Sequence, residues 1–422
     1  MQTYTTEAIR NIVLLSHSGA GKTSLAEALL FNTKAITRLG KIADGTTTSD
    51  YEPEEIKRAS SVQNAIVPCE WGKVKLNIID TPGYADFLGE VIAALHVADA
   101  AVLVVDATAG VQVGTEQAWK YLEDKRLPRL VLINKLDREN ADFFRTLEGI
   151  QKRFGSRFAP IQVPLGDPGA LKGMVNLLQP GEGEQVAQHR EKLMEAVAET
   201  DDDLTAKYLD AGELSQQELV QGLKEGIKSQ KIVPVAGGSA AQNLGITQLM
   251  DFLVQFFPSP KEASPVQTSK PNAGGVEPIL PDAEAPLLAQ VFKTTADPYV
   301  GRLSYFRVYR GTLRSNSQVW NSTKGVSERI GQLSVPRGKV LEPIPHLAAG
   351  DIGAVAKLSE TSTGDTLSVK EHSLVLSPIP LLEPTYDVAV SPKTKADLDK
   401  MGSSLTRLCE EDPSLRIKKD PS

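Results

Sequence analysis

Two cysteines in 422 residues, Cys69 and Cys409, are too few for a disulfide framework and suit a reducing compartment. The five histidines, His17, His96, His189, His346 and His372, are scattered and show no metal-ligand spacing with those cysteines. No apolar run reaches the roughly 20 residues that span a bilayer. No apolar segment with a basic flank opens the chain either. These absences argue against a disulfide scaffold, a Cys/His zinc module and a membrane span, and the expectation is a cytoplasmic monomer. The net charge of −7 excludes a chain-wide basic surface for nucleic acid. Residues 286–422 are slightly basic against an acidic remainder, which permits local RNA contact and fits a mixed-charge solvated surface equally well.

What the chain does have is four short segments, each set where a strand would end. Residues 12–15 form an apolar run of strand length, followed by Ser16, His17, Ser18, Gly19, Ala20 and Gly21, after which Lys22 and Thr23 open a helical pattern. Strand, glycine-containing turn and helix are the context a phosphate loop requires. Its glycines let backbone N–H groups turn inward, Lys22 reaches the β- and γ-phosphates, and Thr23 offers a hydroxyl to Mg²⁺. The strict pattern begins with glycine where this chain has Ser16. The second segment is Asp80, Thr81, Pro82, Gly83 and Tyr84, after an alternating run at 74–79. A carboxylate there can hold a magnesium water shell, and Gly83 can present an N–H to a γ-phosphate. Read alone, the same residues also suit an ordinary turn with an N-cap aspartate.

The third segment, Asn134, Lys135, Leu136 and Asp137, follows the apolar run 130–133. The Asp137 carboxylate can accept two hydrogen bonds from the guanine N1–H and exocyclic amine, which adenine cannot supply. Lys135 can lay its stem along the base, and Asn134 can tie the base loop to the phosphate loop. The fourth segment, Gly237, Gly238, Ser239 and Ala240, can bring backbone N–H groups to the guanine carbonyl oxygen.

With these segments in place the chain resembles the translational GTPases, elongation factor G in particular. The resemblance extends through IVPVAGGSAAQNLGITQLMDFLVQFFPSP at 232–260, DPYVGRLSYFRVYRGTL at 297–313, AGDIGAV at 349–355, STGDTL at 362–367 and SPKTKADLDKMGSSLTRLCEEDPSLRI at 391–417. It is nearer the elongation-factor-G-like paralogues than the main translocase, because the switch segments depart from the usual pattern. The resemblance implies a GTPase using Mg²⁺ with GTP or GDP, partnered by the ribosome in translation elongation. The alternative is a non-hydrolysing guanine-nucleotide switch that docks the ribosome or another partner.

Residues 1–260 read as alternating strands and helices, an α/β P-loop GTPase domain with a mostly parallel sheet and helices on both faces. The resemblance implies an inserted subdomain at about 158–230. Residues 261–285, rich in Pro, Gly, Ser and Glu, read as a linker. Short strands and frequent glycines over 286–378 predict an antiparallel β-barrel. Arg302, Arg307, Arg310 and Arg314 fall in one hairpin, as either an RNA-facing edge or a solvated face. Residues 385–417 predict strand, helix and the start of a second strand, within an incomplete ferredoxin-like α+β domain III at 379–422.

The departures fall where catalysis is decided. The family's RGITI segment reads Arg58, Ala59, Ser60, Ser61, Val62 here, placing Ser61 at the magnesium-binding threonine and Ser60 at an apolar position. Gly19 stands where the family has an aspartate, and Tyr84 where it has the catalytic histidine. A histidine there can orient the attacking water and carry charge, whereas a tyrosine is neutral near pH 7. Slow hydrolysis is the expectation, with Lys22, Gly83 and Tyr84 as the candidate catalytic group and Thr23, Ser61 and Asp80 as the magnesium set.

Overall fold

In the computed structural model, which describes residues 2–167, 169–270, 273–297, 301–380, 382–384 and 386–418, the first apolar run becomes β1 (Ile9–Ser16), buried along its whole length. A strand apolar on both faces belongs inside a sheet covered on both sides. That sheet continues with α1 (Lys22–Asn32), α2 (Pro53–Arg58), β2 (Ala65–Trp71), β3 (Val74–Asp80), α3 (Leu88–Val97), β4 (Ala100–Asp106), α4 (Val113–Lys125), β5 (Arg129–Asn134) and α5 (Phe143–Phe154). β6 (Phe158–Pro160), β7 (Gln162–Leu165), β8 (Gly173–Asn176), α6 (Glu184–Ala198), α7 (Asp202–Ala211) and α8 (Gln216–Lys228) follow, then β9 (Val233–Gly237) and α9 (Ile246–Phe256). The order is β2-β3-β1-β4-β5-β9-β6, parallel throughout except for the antiparallel edge strand β2. One face packs under α1, α9 and the inserted helices α6 and α8, the other under α3, α4 and α5. β6 pairs with β9 in this sheet, so the excursion beyond the sheet begins at the β7–β8 hairpin.

The region read as a linker is not bare chain. β10 (Val266–Lys270) and β11 (Ala273–Ile279) form an antiparallel hairpin, and β10 pairs on its other side with a strand near residue 375. Val266 and Thr268 alternate with Gln267 and Ser269 in this central strand of three, a pattern that the surrounding Pro and Gly conceal.

The second region comprises β12 (Leu288–Asp297), β13 (Gly301–Arg310), β14 (Thr312–Arg314), β15 (Gln318–Asn321), β16 (Val326–Arg329), β17 (Leu333–Arg337), β18 (Val340–Ile344), β19 (His346–Ala348), β20 (Ile352–Ala356), β21 (Thr366–Ser368) and β22 (Val375–Leu376). Eight of them form one antiparallel sheet, ordered β16-β15-β21-β12-β13-β20-β17-β18. A register shift between Val291 and Lys293 separates two neighbours: Val291 enters the barrel's own core, while Phe292 joins Leu303, Tyr305 and Ile352 in the core beneath α3. The two domains therefore share apolar interior.

Beyond Ile379 the sequence expectation is corrected. Among the described residues of 382–394 no strand forms; α10 (Lys395–Glu411) follows, and no second strand succeeds it among the described residues. Val388 and Val390 are exposed, and no strand among the described residues pairs with their backbone.

Candidate functional site

The phosphate loop bridges β1 and α1 with Gly19 at φ +79° and Gly21 at φ +102°, a region that side chains avoid. At Gly21 space is decisive as well: a Cβ would lie 2.4 Å from Asn134 Nδ2. Lys22 is buried and donates to Ser16 Oγ at 2.7 Å, while the Ser16 hydroxyl donates to the His17 carbonyl at 2.6 Å. The serine that departs from the glycine pattern therefore holds the lysine. Burial lowers the Lys22 ammonium to about 8, with Asp80 and Asp50 opposing. His17 Nδ1 accepts from the Gly114 N–H at the head of α4.

Asp80 ends β3, 1% exposed. Burial pushes its carboxyl up to about 6, against the pull of Lys22 and of the hydroxyls of Thr23 and Ser49. Neither of its oxygens completes a hydrogen bond among the described residues, and both oxygens of Asp50 are orphaned likewise. Burial, then the charge of Asp80, raises Asp50 to about 7. Ser61 brings its hydroxyl 3.2 Å from that of Thr23. Orphaned carboxylate oxygens beside two hydroxyls, with no sulfur or imidazole, form the donor set of a hard cation such as Mg²⁺. Thr81 donates to the Leu14 carbonyl at 2.6 Å, which fixes the turn, and Pro82 follows. A Cβ on Gly83 would fall 2.7 Å from Ser18 Cα and 2.8 Å from Lys22 Nζ, so its backbone lies directly on the phosphate loop. Tyr84 is half-exposed at the rim of a small hollow shared with Leu15, Leu88, Val91 and Tyr121.

The 134–137 loop is wired to the same place. Asn134 donates to the Ala20 carbonyl at 2.9 Å and accepts from the Ala240 N–H at 3.0 Å. Lys135, at φ +65°, reaches back to the Gly19 carbonyl and to Asp106, both at 2.6 Å. Leu136 is buried and its N–H donates to the Gly238 carbonyl, while Ser239 Oγ accepts from the Gln242 N–H. Asp137 Oδ1 is buried without a hydrogen-bond partner among the described residues. All four segments converge.

Asp50 and Asp106 escape the sequence reading. Asp106, closing β4, resists its own burial through bonds from Lys135 and Thr108 that hold its carboxyl below the usual range. Its signal was an aspartate at a strand end; Asp50 has none, lying in irregular chain. Arg307 fits neither of the two readings given for its hairpin, RNA-facing edge or solvated face. It is buried and ion-paired to Asp99 at 2.8 Å across the domain boundary.

Among the described residues no cluster of three or more His, Cys, Asp or Glu is arranged for a metal, and no helix is long and apolar enough to cross a membrane. Compared with known proteins, residues 7–259 match the family model of the elongation factor Tu GTP binding domain. Residues 286–370 match elongation factor G domain 2, and residues 381–422 match elongation factor G domain III. A crystal structure of a Thermus thermophilus protein superimposes over 98% of this chain with a TM-score of 0.85 at 33% identity. This chain spans 62% of that protein's length.

Proposed function

The chain belongs to the elongation factor G family of translational GTPases, and from that premise we propose that it binds GTP and GDP with Mg²⁺ and hydrolyses GTP slowly, stimulated by the ribosome in elongation. The observation that supports this most is the pair of orphaned carboxylates, Asp80 and Asp50, beside Lys22 and the Thr23–Ser61 hydroxyl pair. We assign nucleotide binding to residues 1–260, with an inserted portion at about 158–230, the barrel to 286–378 and domain III to 379–422. The ribosome and the cytoplasm enter through family membership.

In this reading Asp137 selects guanine and Asn134 holds its loop against Ala20. The N–H groups of 18–23 and the Lys22 ammonium receive the phosphates. Thr23, Ser61 and Asp80 would hold Mg²⁺, which when bound would supply positive charge to the transferring phosphoryl group. Gly83 supplies an N–H to the γ-phosphate. Tyr84 can hydrogen-bond the attacking water but brings no positive charge, which makes hydrolysis slow. The same residue favours a second reading, a nucleotide switch that does not turn over.

Single-turnover GTP hydrolysis with and without ribosomes tests both. Stimulated turnover that vanishes in Lys22→Ala and rises about tenfold or more in Tyr84→His supports the GTPase. Tight GTP binding with no turnover in either chain would establish the switch instead.

A further inference from the structure

Residues 33–64, between α1 and β2, bring Asp50 and Ser61 to the phosphate site although little of their backbone is regular. Two buried carboxylates hold them. Glu27, on α1 and 1% exposed, accepts from the N–H groups of Gly40, at 3.1 Å, and Thr48. Glu55, on α2 and 2% exposed, accepts through one oxygen from Val62 and Gln63, at 3.0 and 3.1 Å, and through the other from Glu52 at 3.2 Å. The residues gripped lie two positions before Asp50 and one after Ser61. Gly40 is fitted to its clamp: a Cβ would stand 2.6 Å from Glu27 Oε2.

These charges are electrostatically misplaced for a polyanion site. Glu55 is near enough to push the carboxyls of Asp50 and Asp80 upward. A buried carboxylate with no other role would weaken phosphate binding; one that saturates loop N–H groups organises the loop, because bonds to a charged acceptor are stronger than neutral ones. We propose that Glu27 and Glu55 are positioning residues, a pair of carboxylate clamps that set the backbone at 40–48 and 62–63 so that Asp50 and Ser61 meet the cation and phosphates of the nucleotide. This rests on the functional reading above.

The test uses Glu27→Gln and Glu55→Gln in the full chain. Each amide keeps the volume but turns a donor toward one backbone N–H. Affinity for a non-hydrolysable GTP analogue with Mg²⁺ should fall by about tenfold, while GDP affinity in EDTA stays within about twofold. Trypsin should also cut faster after Lys41 in the first variant and after Arg58 in the second. Unchanged Mg²⁺-dependent affinity in both variants overturns the proposal, as does an equal loss in EDTA. If a variant fails to fold, amide exchange in the wild-type chain decides: slow exchange at Gly40, Thr48, Val62 and Gln63 supports the clamps, and free exchange there overturns them. A wild-type chain that binds no guanine nucleotide removes the functional reading and the proposal together; normal wild-type binding with unaltered variants removes the proposal alone.

Discussion

The barrel and the C-terminal helix are both appended to the nucleotide domain, but they are fastened by opposite means. The barrel docks through desolvated charge. Lys75 on β3 meets Asp351 at 2.7 Å with both side chains buried, Asn77 donates to the same carboxylate, and Asn11 donates to Asp99, the partner of Arg307. α10 is held by Glu411 accepting from the Ala296 N–H at 2.8 Å and by Arg407 donating to the Ala296 carbonyl. Its neighbourhood leaves a cavity of about 250 Å³ between Phe87, Ile92, Phe292, Leu408 and Leu415. Leu382, Val388, Val390, Leu398, Leu408 and Leu415 remain exposed. A buried ion pair adds little net stability, yet separating its members leaves a charge stranded in an apolar medium, so such pairs fix one docking geometry. The surface-held helix has no comparable constraint.

The largest expected effect comes from breaking the charged fastening. Lys75→Met leaves the Asp351 carboxylate buried beside Asn77 and should cost about 3–5 kcal/mol in denaturant unfolding, most of it regained in the Lys75→Met/Asp351→Leu double variant. The second is a pH effect at the same boundary. His96 meets Gln290 of the barrel at 2.9 Å; burial, with the charges of Lys125 and Arg307, holds it down to about 4 from an ordinary value of 6.5, against the pull of Gln290. The unfolded chain takes up this proton near 6.5 and the folded chain only near 4. The stability it contributes is therefore whole above 6.5 and declines as pH falls between those values. The raised carboxyls of Asp50 and Asp80 act in the reverse sense, weakening the apo fold as pH rises. Comparing the wild type with His96→Gln cancels them, and that difference in unfolding free energy should shrink from about pH 7 to about pH 4. The smallest effect should come from Arg416→Ala, which removes an exposed pair with Glu383 and should change stability by less than about 1 kcal/mol.

This contrast also sorts what could be read from sequence. The placement of the four segments at strand ends was legible because each is local: an apolar strand delivers a short loop within a few residues. Ser61, singled out in the sequence by its position, lies beside Thr23. Asp50, Glu27 and Glu55 were not, since their partners are backbone groups or other loops brought close by the fold. Arg307 was ambiguous for a related reason. A β13 arginine looks the same whether its face meets solvent or, as here, the Val97 carbonyl and Asp99. The 266–279 hairpin was hidden by composition, its pairing depending on β22, far along the chain. The strand expected after 385 finds no pairing strand among the described residues.

One consequence of these attachments is optical. The chain has three tryptophans: Trp71 donates to Asp251, Trp119 has the guanidinium groups of Arg129 and Arg157 over its ring at 4.7 and 5.1 Å, and Trp320 in the barrel faces Lys370 at 5.1 Å. Indole emission responds to a cation above the ring and to its removal. Intrinsic fluorescence should therefore follow the melting of the nucleotide domain and the barrel, and stay dark to any departure of α10. An indole introduced at Leu408, against the cavity, would give that silent segment its own signal.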